Sequence, residues 1–276
     1  MQPIIYDEWE TLGVKWETGD DLPDDKVLFV TCDHIDSLFR NFFDEVKGKT
    51  IVSAASDYGV FLQKEYTPDE DLRRWVPMQP LRGIGYRDLY MPARLNQDRC
   101  LIKDQFAIRS YSWMNATFNK IPLVNWYCTN TDILPNKIPF GIDRESWALI
   151  QKYKDSPKKE RVFCCWSNNT NERHSLAQRL RGVGGFVQFE SIDKEEFIYE
   201  LSNSKYCLCP EGNGRDSYRI LQSLYSGTIP LVMSDKWSPY GDLTTLFDVN
   251  TLKTSSDTQS TWDLVDFEYW RNQIDS

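Results

Sequence analysis

The chain has 276 residues, of which 41% are hydrophobic and 14% aromatic, and it carries a formal net charge of −9. This length favours two domains of roughly 100–150 residues each, although one large α/β domain is an alternative. The hydrophobic content excludes a disordered chain, and the acidic charge argues against nucleic acids or anionic membranes as partners. An anionic ligand therefore needs a local cluster of arginines, lysines or helix N-termini.

The cysteines do not indicate a disulfide framework, because they are seven, an odd number, and partly clustered. Cys164 and Cys165 are adjacent, and Cys207 and Cys209 are one residue apart, all within apolar runs typical of buried strands. We interpret these cysteines as small core residues. The chain has no basic leader and no apolar window of about 18 residues. We therefore expect no stable membrane insertion and a reducing, cytoplasmic location, unless an anchor was removed.

Strands and helices alternate along both halves of the chain, which favours parallel sheets covered by helices. In the first half, the predicted strands span Val27 to Cys32 and Ile121 to Tyr127, and a further strand begins at Thr50. In the second half, we predict strands over residues 161–166, 186–190, 206–209 and 228–233, and helices over residues 172–181, 194–203 and 217–226. This second series is typical of a Rossmann-type α/β domain.

A segment rich in Pro and Gly, residues 138–144, separates the two series and marks the predicted domain boundary. We assign residues 1–140 to an amino-terminal domain and residues 141–257 to a carboxyl-terminal domain. A helix within residues 258–276 is expected to pack back across the domains, and we group it with the first. Two α/β domains facing each other place a cleft between the carboxyl ends of their sheets, where ligands of such folds bind.

The segment from Ser204 to Val232, SKYCLCPEGNGRDSYRILQSLYSGTIPLV, contains the most informative motif. A buried strand leads through Gly-Asn-Gly to a helix that opens at Asp216 and Ser217, whose short side chains cap free N–H groups. Glycines before a helix N-terminus form a ready anion site, although the same pattern occurs in ordinary tight turns. Arg219 in the first turn is suited to pair with a diphosphate, and Gln222 is suited to bind a sugar hydroxyl.

This segment resembles the carboxyl-terminal signature of the exostosin-like glycosyltransferases, SKF-x-L-C-P-x-G-N-G-x-D-x-x-R before a helix and an Ile-Pro turn. A family strand that ends in Ser before T-N-x-x-R is similar to residues 166–173, and the family's Pro-Gly linker is similar to residues 139–141. The resemblance covers residues 138–246. It implies two Rossmann-like domains facing across a cleft, the GT-B architecture, with a nucleotide-sugar bound mainly by the second. By this resemblance, a chain without a membrane anchor is similar to the family members of microbes and large DNA viruses. For a viral member, the expected location is the host cytoplasm.

The resemblance also implies roles for individual residues. The glycine loop, residues 212–214, approaches the donor diphosphate, and Arg173 and Arg219 neutralise its charge. The implied donor site consists of Ser167, Arg173, Pro210, Glu211, Gly212, Asn213, Gly214, Asp216, Ser217, Tyr218, Arg219 and Gln222.

One of these residues has two possible roles, and two others differ from the usual family residue. Asp216 either caps the helix or contacts the donor. Tyr218 stands where the family usually has His, and Gln222 stands where it usually has Glu. Glutamine still donates and accepts hydrogen bonds, so the expected ribose contact is retained while the donor preference is open.

The resemblance implies an inverting transfer of a sugar from a UDP-sugar to a hydroxyl of a glycan acceptor, and UDP-xylose is one such donor. An inverting reaction needs a base opposite the leaving diphosphate. Asp33 and His34 follow the first predicted strand and are the candidates, with Asp57 in reserve. Helix capping and an ordinary loop histidine are the alternative interpretations of Asp33 and His34.

We expect no cofactor and no required metal. Asp69 and Asp71 match an Asp-x-Asp metal pattern but lie in a sequence typical of an acidic helix start. A non-catalytic nucleotide-sugar or glycan-binding module is the main alternative function. A dehydrogenase or epimerase is a weaker one, because the first predicted strand is not followed by Gly-x-Gly-x-x-Gly.

Overall fold

The computed structural model of the protein describes residues 1–17, 19–30, 38, 41–42, 44–53, 60–62, 75–77, 124–129, 136–167, 171–189, 191–210, 216–233, 239–248, 253–255 and 262–275. The predicted bases Asp33, His34 and Asp57, the Asp69 and Asp71 pair, and the loop residues Glu211, Gly212, Asn213 and Gly214 lie outside these ranges.

The described residues form short strands and helices in an alternating order. The strands are β1 (Val14–Trp16), β2 (Val27–Val30), β3 (Thr50–Ser53), β4 (Val60–Leu62), β5 (Trp75–Pro77), β6 (Asn125–Cys128), β7 (Asn136–Lys137), β8 (Lys159–Cys165), β9 (Phe186–Phe189), β10 (Ser204–Leu208), β11 (Ile229–Val232), β12 (Thr245–Asp248) and β13 (Lys253–Ser255). The α-helices are α1 (Arg144–Tyr153), α2 (Asn171–Leu180), α3 (Lys194–Ser202), α4 (Tyr218–Tyr225) and α5 (Phe267–Asp275). Short 3-10 helices span Tyr6–Leu12, Glu45–Gly48, Gly241–Leu243 and Trp262–Val265.

The chain divides into two compact units. The amino-terminal unit contains Glu8–Ile138 and Ile274–Ser276, and the carboxyl-terminal unit contains Met1–Asp7 and Pro139–Gln273. The unit boundary at Pro139 lies close to the domain boundary expected from the sequence. The first seven residues and most of α5 fall in the carboxyl-terminal unit, whereas the expected division grouped both with the amino-terminal domain.

The amino-terminal unit contains a five-stranded parallel sheet in the order β1-β2-β3-β6-β7. Strands β2 and β3 are mostly apolar and buried, as expected where both faces of a parallel sheet are covered. Trp16, Leu28, Ile51 and Trp126 belong to its buried core. The Trp126 indole also donates a hydrogen bond to Ser53 Oγ at 3.0 Å, which satisfies its buried N–H group. The strands predicted at Val27 and Thr50 are confirmed, and the third, β6, begins four residues later than Ile121.

The carboxyl-terminal unit contains a six-stranded sheet in the order β13-β12-β11-β10-β8-β9. All neighbouring pairs are parallel except β12 with β13. Every predicted strand and helix between residues 161 and 233 is confirmed, with ends that shift by at most three residues. The two parallel sheets confirm the α/β class and are consistent with Rossmann-like domains, while the GT-B arrangement across a cleft stays a prediction.

Helix α1 is an element that we did not predict from the sequence. It begins at Arg144, the last residue of the Pro- and Gly-rich segment, and only Ser146 and Ile150 of its ten residues are buried. Asp143 caps the helix, since its carboxylate accepts a hydrogen bond from the Ser146 amide at 2.9 Å. The Pro and Gly residues directly before the helix favoured a linker at this point of the chain.

The five cysteines that the structure describes are free thiols, as predicted. Cys164, Cys207 and Cys209 are at most 3% exposed, and they pack as small residues of the sheet. Cys165 is half-buried at the end of β8. Among the described residues, no helix has both the length and the apolar content needed to cross a membrane.

The first residues of the chain are fixed to the Pro-Gly segment of the carboxyl-terminal unit. Ile5 forms a parallel β-bridge with Ile142, and the Tyr6 amide donates to the Ile142 carbonyl at 3.1 Å. Gly141 makes this approach possible, because a Cβ there would lie 2.7 Å from the Tyr6 nitrogen and its φ is +102°. The Pro-Gly segment is therefore a packed part of the carboxyl-terminal unit.

Candidate functional site

The strand order of the carboxyl-terminal unit creates a topological switch point. The chain passes from β8 to β9 on one side, then returns to β10 on the other side of β8. In open α/β sheets, ligands bind outside the carboxyl ends of the strands at such a point. Trp166 and Ser167 follow β8, and Cys209 and Pro210 follow β10. Ser167 is exposed there, whereas Pro210 is buried.

Helix α4 begins at this edge of the sheet. Ser217 is its N-cap, with an extended backbone and a side-chain oxygen that accepts from the Arg219 amide at 3.3 Å. The predicted capping by Ser217 is therefore confirmed. The first backbone N–H groups of a helix and its dipole favour a negative charge, so the start of α4 is electrostatically suited to an anion.

Arg219 lies in the first turn of α4 with a half-buried side chain. Its buried Nε has no hydrogen-bond partner, and the guanidinium forms no ion pair within the part of the chain that the structure describes. The guanidinium lies 5.8 Å from the Phe197 ring centre, and Nη1 lies 3.5 Å from Ser217 Oγ. A half-buried cation without an acid partner is the kind of group that accepts an anionic ligand.

The charge of Arg219 reaches the carboxyl ends of both central strands. Burial raises the pKa of the Cys165 thiol, and the positive charge of Arg219 opposes that rise. Burial also raises the pKa of the Cys207 thiol, but a hydrogen bond from Cys209 and the Arg219 charge bring it below the ordinary value. The positive charge of Arg219 therefore acts on thiols of both β8 and β10.

Arg173 approaches the same edge from helix α2. It is 8% exposed, and its Nη2 donates to the Pro210 carbonyl at 3.2 Å. The Trp166 indole donates to the Arg173 carbonyl at 3.2 Å. Helices α2 and α4 connect strands in opposite directions across the sheet, so right-handed crossovers place them on opposite faces. The two arginines thus belong to opposite sides of the switch point.

Asp216 is buried directly before Ser217, and both of its carboxylate oxygens accept hydrogen bonds. The Phe140 amide donates to Oδ2 at 2.8 Å, the Ser217 amide donates to Oδ1 at 2.7 Å, and the Tyr240 hydroxyl lies 2.9 and 2.8 Å from the two oxygens. Burial raises the pKa of the carboxyl to about 6, and the hydrogen bonds from Phe140, Tyr240 and Ser217 oppose the rise. We call Phe140, Asp216 and Tyr240 the Asp216 clamp.

Gln222 is buried on the side of α4 that meets α1. Its amide nitrogen donates to Ser146 Oγ at 3.1 Å, and that hydroxyl donates to Asp143 Oδ2 at 2.7 Å. The expected contact of Gln222 with a ribose stays a prediction, and while the side-chain nitrogen binds Ser146, the side-chain oxygen is the atom suited to it.

Tyr218 lies against aromatic side chains at the start of α4. Its ring centre is 4.6 Å from that of Phe140 and 6.3 Å from that of Tyr6, in edge-to-face geometry. Of the predicted donor residues that the structure describes, Pro210, Asp216, Ser217, Tyr218 and Arg219 lie along one short stretch of chain, and Arg173 contacts it. Their role in donor binding stays a prediction.

Sequence reasoning missed Tyr240 and the contacts of Phe140 and Ser146. Phe140 belonged to a segment that we interpreted as a linker, and no periodic pattern surrounds Tyr240. Their partners lie 24 to 76 residues away in the chain. No group of three or more His, Cys, Asp or Glu residues that might hold a metal ion occurs among the described residues.

Part of the carboxyl-terminal unit is similar to known proteins. Residues 138–244 match the Exostosin GT47 domain. The chain is 42% identical to an Exostosin-1 homolog of Caenorhabditis elegans over 48 residues, which is 17% of this chain and 13% of that protein. It is 35% identical to Exostosin-1c of Danio rerio over 57 residues, which is 20% of this chain and 7% of that protein.

The chain therefore spans only a small part of the length of these two curated relatives. The domain match and both similarities relate part of this chain to exostosin-type proteins. The domain match includes β8, β10 and α4, the elements that form the switch point.

Proposed function

We propose that the protein transfers a sugar from a UDP-sugar to a hydroxyl of a glycan acceptor, and that the carboxyl-terminal unit binds the donor. The family similarity supports the reaction class, since a glycosyltransferase implies a nucleotide-sugar donor and a glycan acceptor. The proposal assigns the donor diphosphate to the start of α4, with Ser167 and Arg173 at the neighbouring strand ends.

The observation that carries the proposal is the environment of Arg219. A cation with a buried, unpartnered Nε in the first turn of a capped helix offers one positive charge and several N–H donors to an anion. A diphosphate supplies acceptors for all of these groups. The global charge of −9 makes such a local concentration of donors necessary, because the rest of the surface repels anions.

In the proposed reaction, the acceptor oxygen forms a bond to the anomeric carbon as the bond from that carbon to the diphosphate breaks. The acceptor hydroxyl loses its proton to a base, for which Asp33, His34 and Asp57 remain the candidates. The charge that develops on the leaving diphosphate is stabilised by donors that are already oriented, Arg219 and the amides of α4. Attack opposite the leaving group inverts the anomeric configuration. UDP-xylose is one donor to include in the test.

The experiment is a binding and turnover panel on the purified chain. Thermal unfolding and calorimetry are measured with UDP, GDP and CMP, followed by UDP-sugars that include UDP-xylose. A ligand at about 100 times its Kd adds roughly 2.7 kcal/mol to the free energy of unfolding. We expect a shift that is selective for UDP and is lost in Arg219→Ala. Arg181→Ala is the matched control, because Arg181 is an exposed arginine of the same unit.

The outcomes separate the candidate functions. Selective UDP binding with transfer to a glycan acceptor supports the proposal. Selective binding without turnover on any acceptor contradicts the transferase and favours a non-catalytic nucleotide-sugar module. No binding of any nucleotide by the folded protein, or equal binding by Arg219→Ala and Arg181→Ala, contradicts the donor site.

A further inference from the structure

The Asp216 clamp joins three separate segments of the carboxyl-terminal unit at one buried carboxylate. Phe140 comes from the segment before α1, Asp216 directly precedes the cap of α4, and Tyr240 directly precedes the 3-10 helix Gly241–Leu243. Asp216 is 6% exposed, and Tyr240 is fully buried. Both oxygens of the carboxylate already accept hydrogen bonds, as described above, so the group is committed to the protein interior.

We infer that Asp216 and Tyr240 are positioning residues that hold the first turn of α4, and with it Arg219, in place for a diphosphate. This inference rests on the proposed function, because the diphosphate is the proposed ligand of that turn. Asp216 acts through the backbone of Ser217 and Arg219, and neither Asp216 nor Tyr240 touches the donor.

The geometry favours positioning over direct contact with the donor. An exposed carboxylate at the start of α4 would compete with an anionic ligand for the same helix N-terminus and would repel it. Asp216 instead turns inward, where the Phe140 amide and the Tyr240 hydroxyl satisfy its charge. Releasing those donors to reach a ligand would leave buried polar groups without partners, which is costly.

The segment that anchors the clamp is itself rigidly held. Phe140 is 3% exposed and precedes Gly141, whose positive φ and close contact with the Tyr6 backbone fix the chain path. Arg219 lies three residues beyond Asp216, which is about one helical turn. A shift of the clamp therefore moves the Ser217 cap and the Arg219 amide together, since Ser217 Oγ binds that amide.

The test compares two tyrosines of one unit. Tyr240→Phe removes the hydroxyl that binds Asp216 and keeps the ring. Tyr225→Phe is the matched control, because the Tyr225 hydroxyl is also buried and makes two hydrogen bonds, at 2.8 Å to the Ile4 amide and 2.9 Å to the Val265 carbonyl. We expect both variants to lose a similar amount of stability. Tyr240→Phe should weaken UDP binding roughly three- to tenfold, whereas Tyr225→Phe should bind UDP within about twofold of wild type.

Asp216 itself is tested by a pair of substitutions. An asparagine oxygen still accepts from the Phe140 amide, and its nitrogen is able to donate to the Tyr240 hydroxyl, while the bond from the Ser217 amide is lost. Asp216→Asn is therefore expected to retain more UDP affinity than Asp216→Ala. The inference is overturned if Tyr240→Phe binds UDP with the affinity of wild type. It is also overturned if Tyr240→Phe and Tyr225→Phe lose the same amount of UDP affinity. Equal losses of UDP affinity in Asp216→Asn and Asp216→Ala also overturn the inference, because they indicate a direct contact with the donor that only the carboxylate makes.

A measurement without ligand separates this inference from the proposed function. If wild type binds no nucleotide, the proposed function fails, and hydrogen exchange then decides whether the clamp holds α4. We expect backbone amides of residues 217–221 to exchange roughly tenfold faster in Tyr240→Phe than in Tyr225→Phe. Equal exchange in the two variants shows that the clamp does not position the helix start.

Discussion

At the scale of single residues, the most informative group is the buried carboxyl of Asp216. Its ordinary pKa is 3.8, and burial raises this to about 6 despite three hydrogen-bond donors. The folded state therefore binds a proton between roughly pH 4 and pH 6 that the unfolded state does not bind. Because stability falls with rising pH wherever the folded state binds more protons, this group contributes most to stability below pH 4 and loses that contribution as pH rises through 6.

This linkage predicts the effect of Asp216→Asn on the pH dependence of stability. The free energy of unfolding of wild type, relative to the variant, should increase by up to about 3 kcal/mol as the pH falls from 7 to 4. Urea unfolding at several pH values measures the difference. Asp155→Asn is the control, since Asp155 is an exposed aspartate of the same unit. A constant difference between wild type and Asp216→Asn across this range contradicts the raised pKa.

At the scale of elements, three helices of the carboxyl-terminal unit begin at a residue whose side chain caps the helix. Asp143 and Asp193 cap α1 and α3 through amides three residues later, and Ser217 caps α4. The two aspartates place negative charge on their helix N-termini, which favours the helix dipole. The cap of α4 is neutral, and this leaves the dipole of that helix available to a ligand.

The neutral cap predicts that stability and binding separate at Ser217. Ser217→Ala should lower the free energy of unfolding by about 1 kcal/mol, because the cap is lost. Ser217→Asp should keep the stability of wild type, since Asp caps well and complements the dipole. The same substitution should weaken UDP binding roughly tenfold or more, because its charge repels the diphosphate.

Urea unfolding and calorimetry on the same samples of the two Ser217 variants check this prediction. Wild-type UDP affinity in Ser217→Asp would show that the start of α4 does not receive the anion.

At the scale of the whole molecule, the first seven residues complete the carboxyl-terminal unit although they are distant from it in sequence. Ile4 and Ile5 are at most 2% exposed, and the Ile4 amide donates to the Tyr225 hydroxyl. The bridge between Ile5 and Ile142 also supports the segment that carries Phe140. The unit is therefore built from two pieces of chain that must meet during folding.

Removal of residues 1–7 tests this dependence. Loss of the two buried isoleucines alone should cost about 3 kcal/mol or more, so the melting temperature should fall by several degrees. Calorimetric unfolding of the shortened chain measures the fall. Tyr6→Ser in the full chain is the control, because Tyr6 is 44% exposed. A shortened chain that unfolds at the wild-type temperature contradicts the assignment of these residues to the unit.

The sequence by itself determined the order of elements from β8 to β11 and the start of α4, because each depends on local patterns. Apolar runs specify buried strands, and a serine before an amphipathic stretch specifies a capped helix. The cysteines at positions 164 and 207 were recognisable as core residues for the same reason. Helix α1 was missed because the Pro and Gly residues directly before it favoured a linker at this point of the chain.

Only the tertiary structure decided which side chains meet. Asp216 pairs with Phe140 across 76 residues and with Tyr240 across 24, and Gln222 turns to Ser146 across 76. Local periodicity contains no information on such distances, since these contacts arise when strand order and helix packing bring separate segments together. The action of the Arg219 charge on thiols of β8 and β10 depends on the same strand order, which follows from packing of the whole unit.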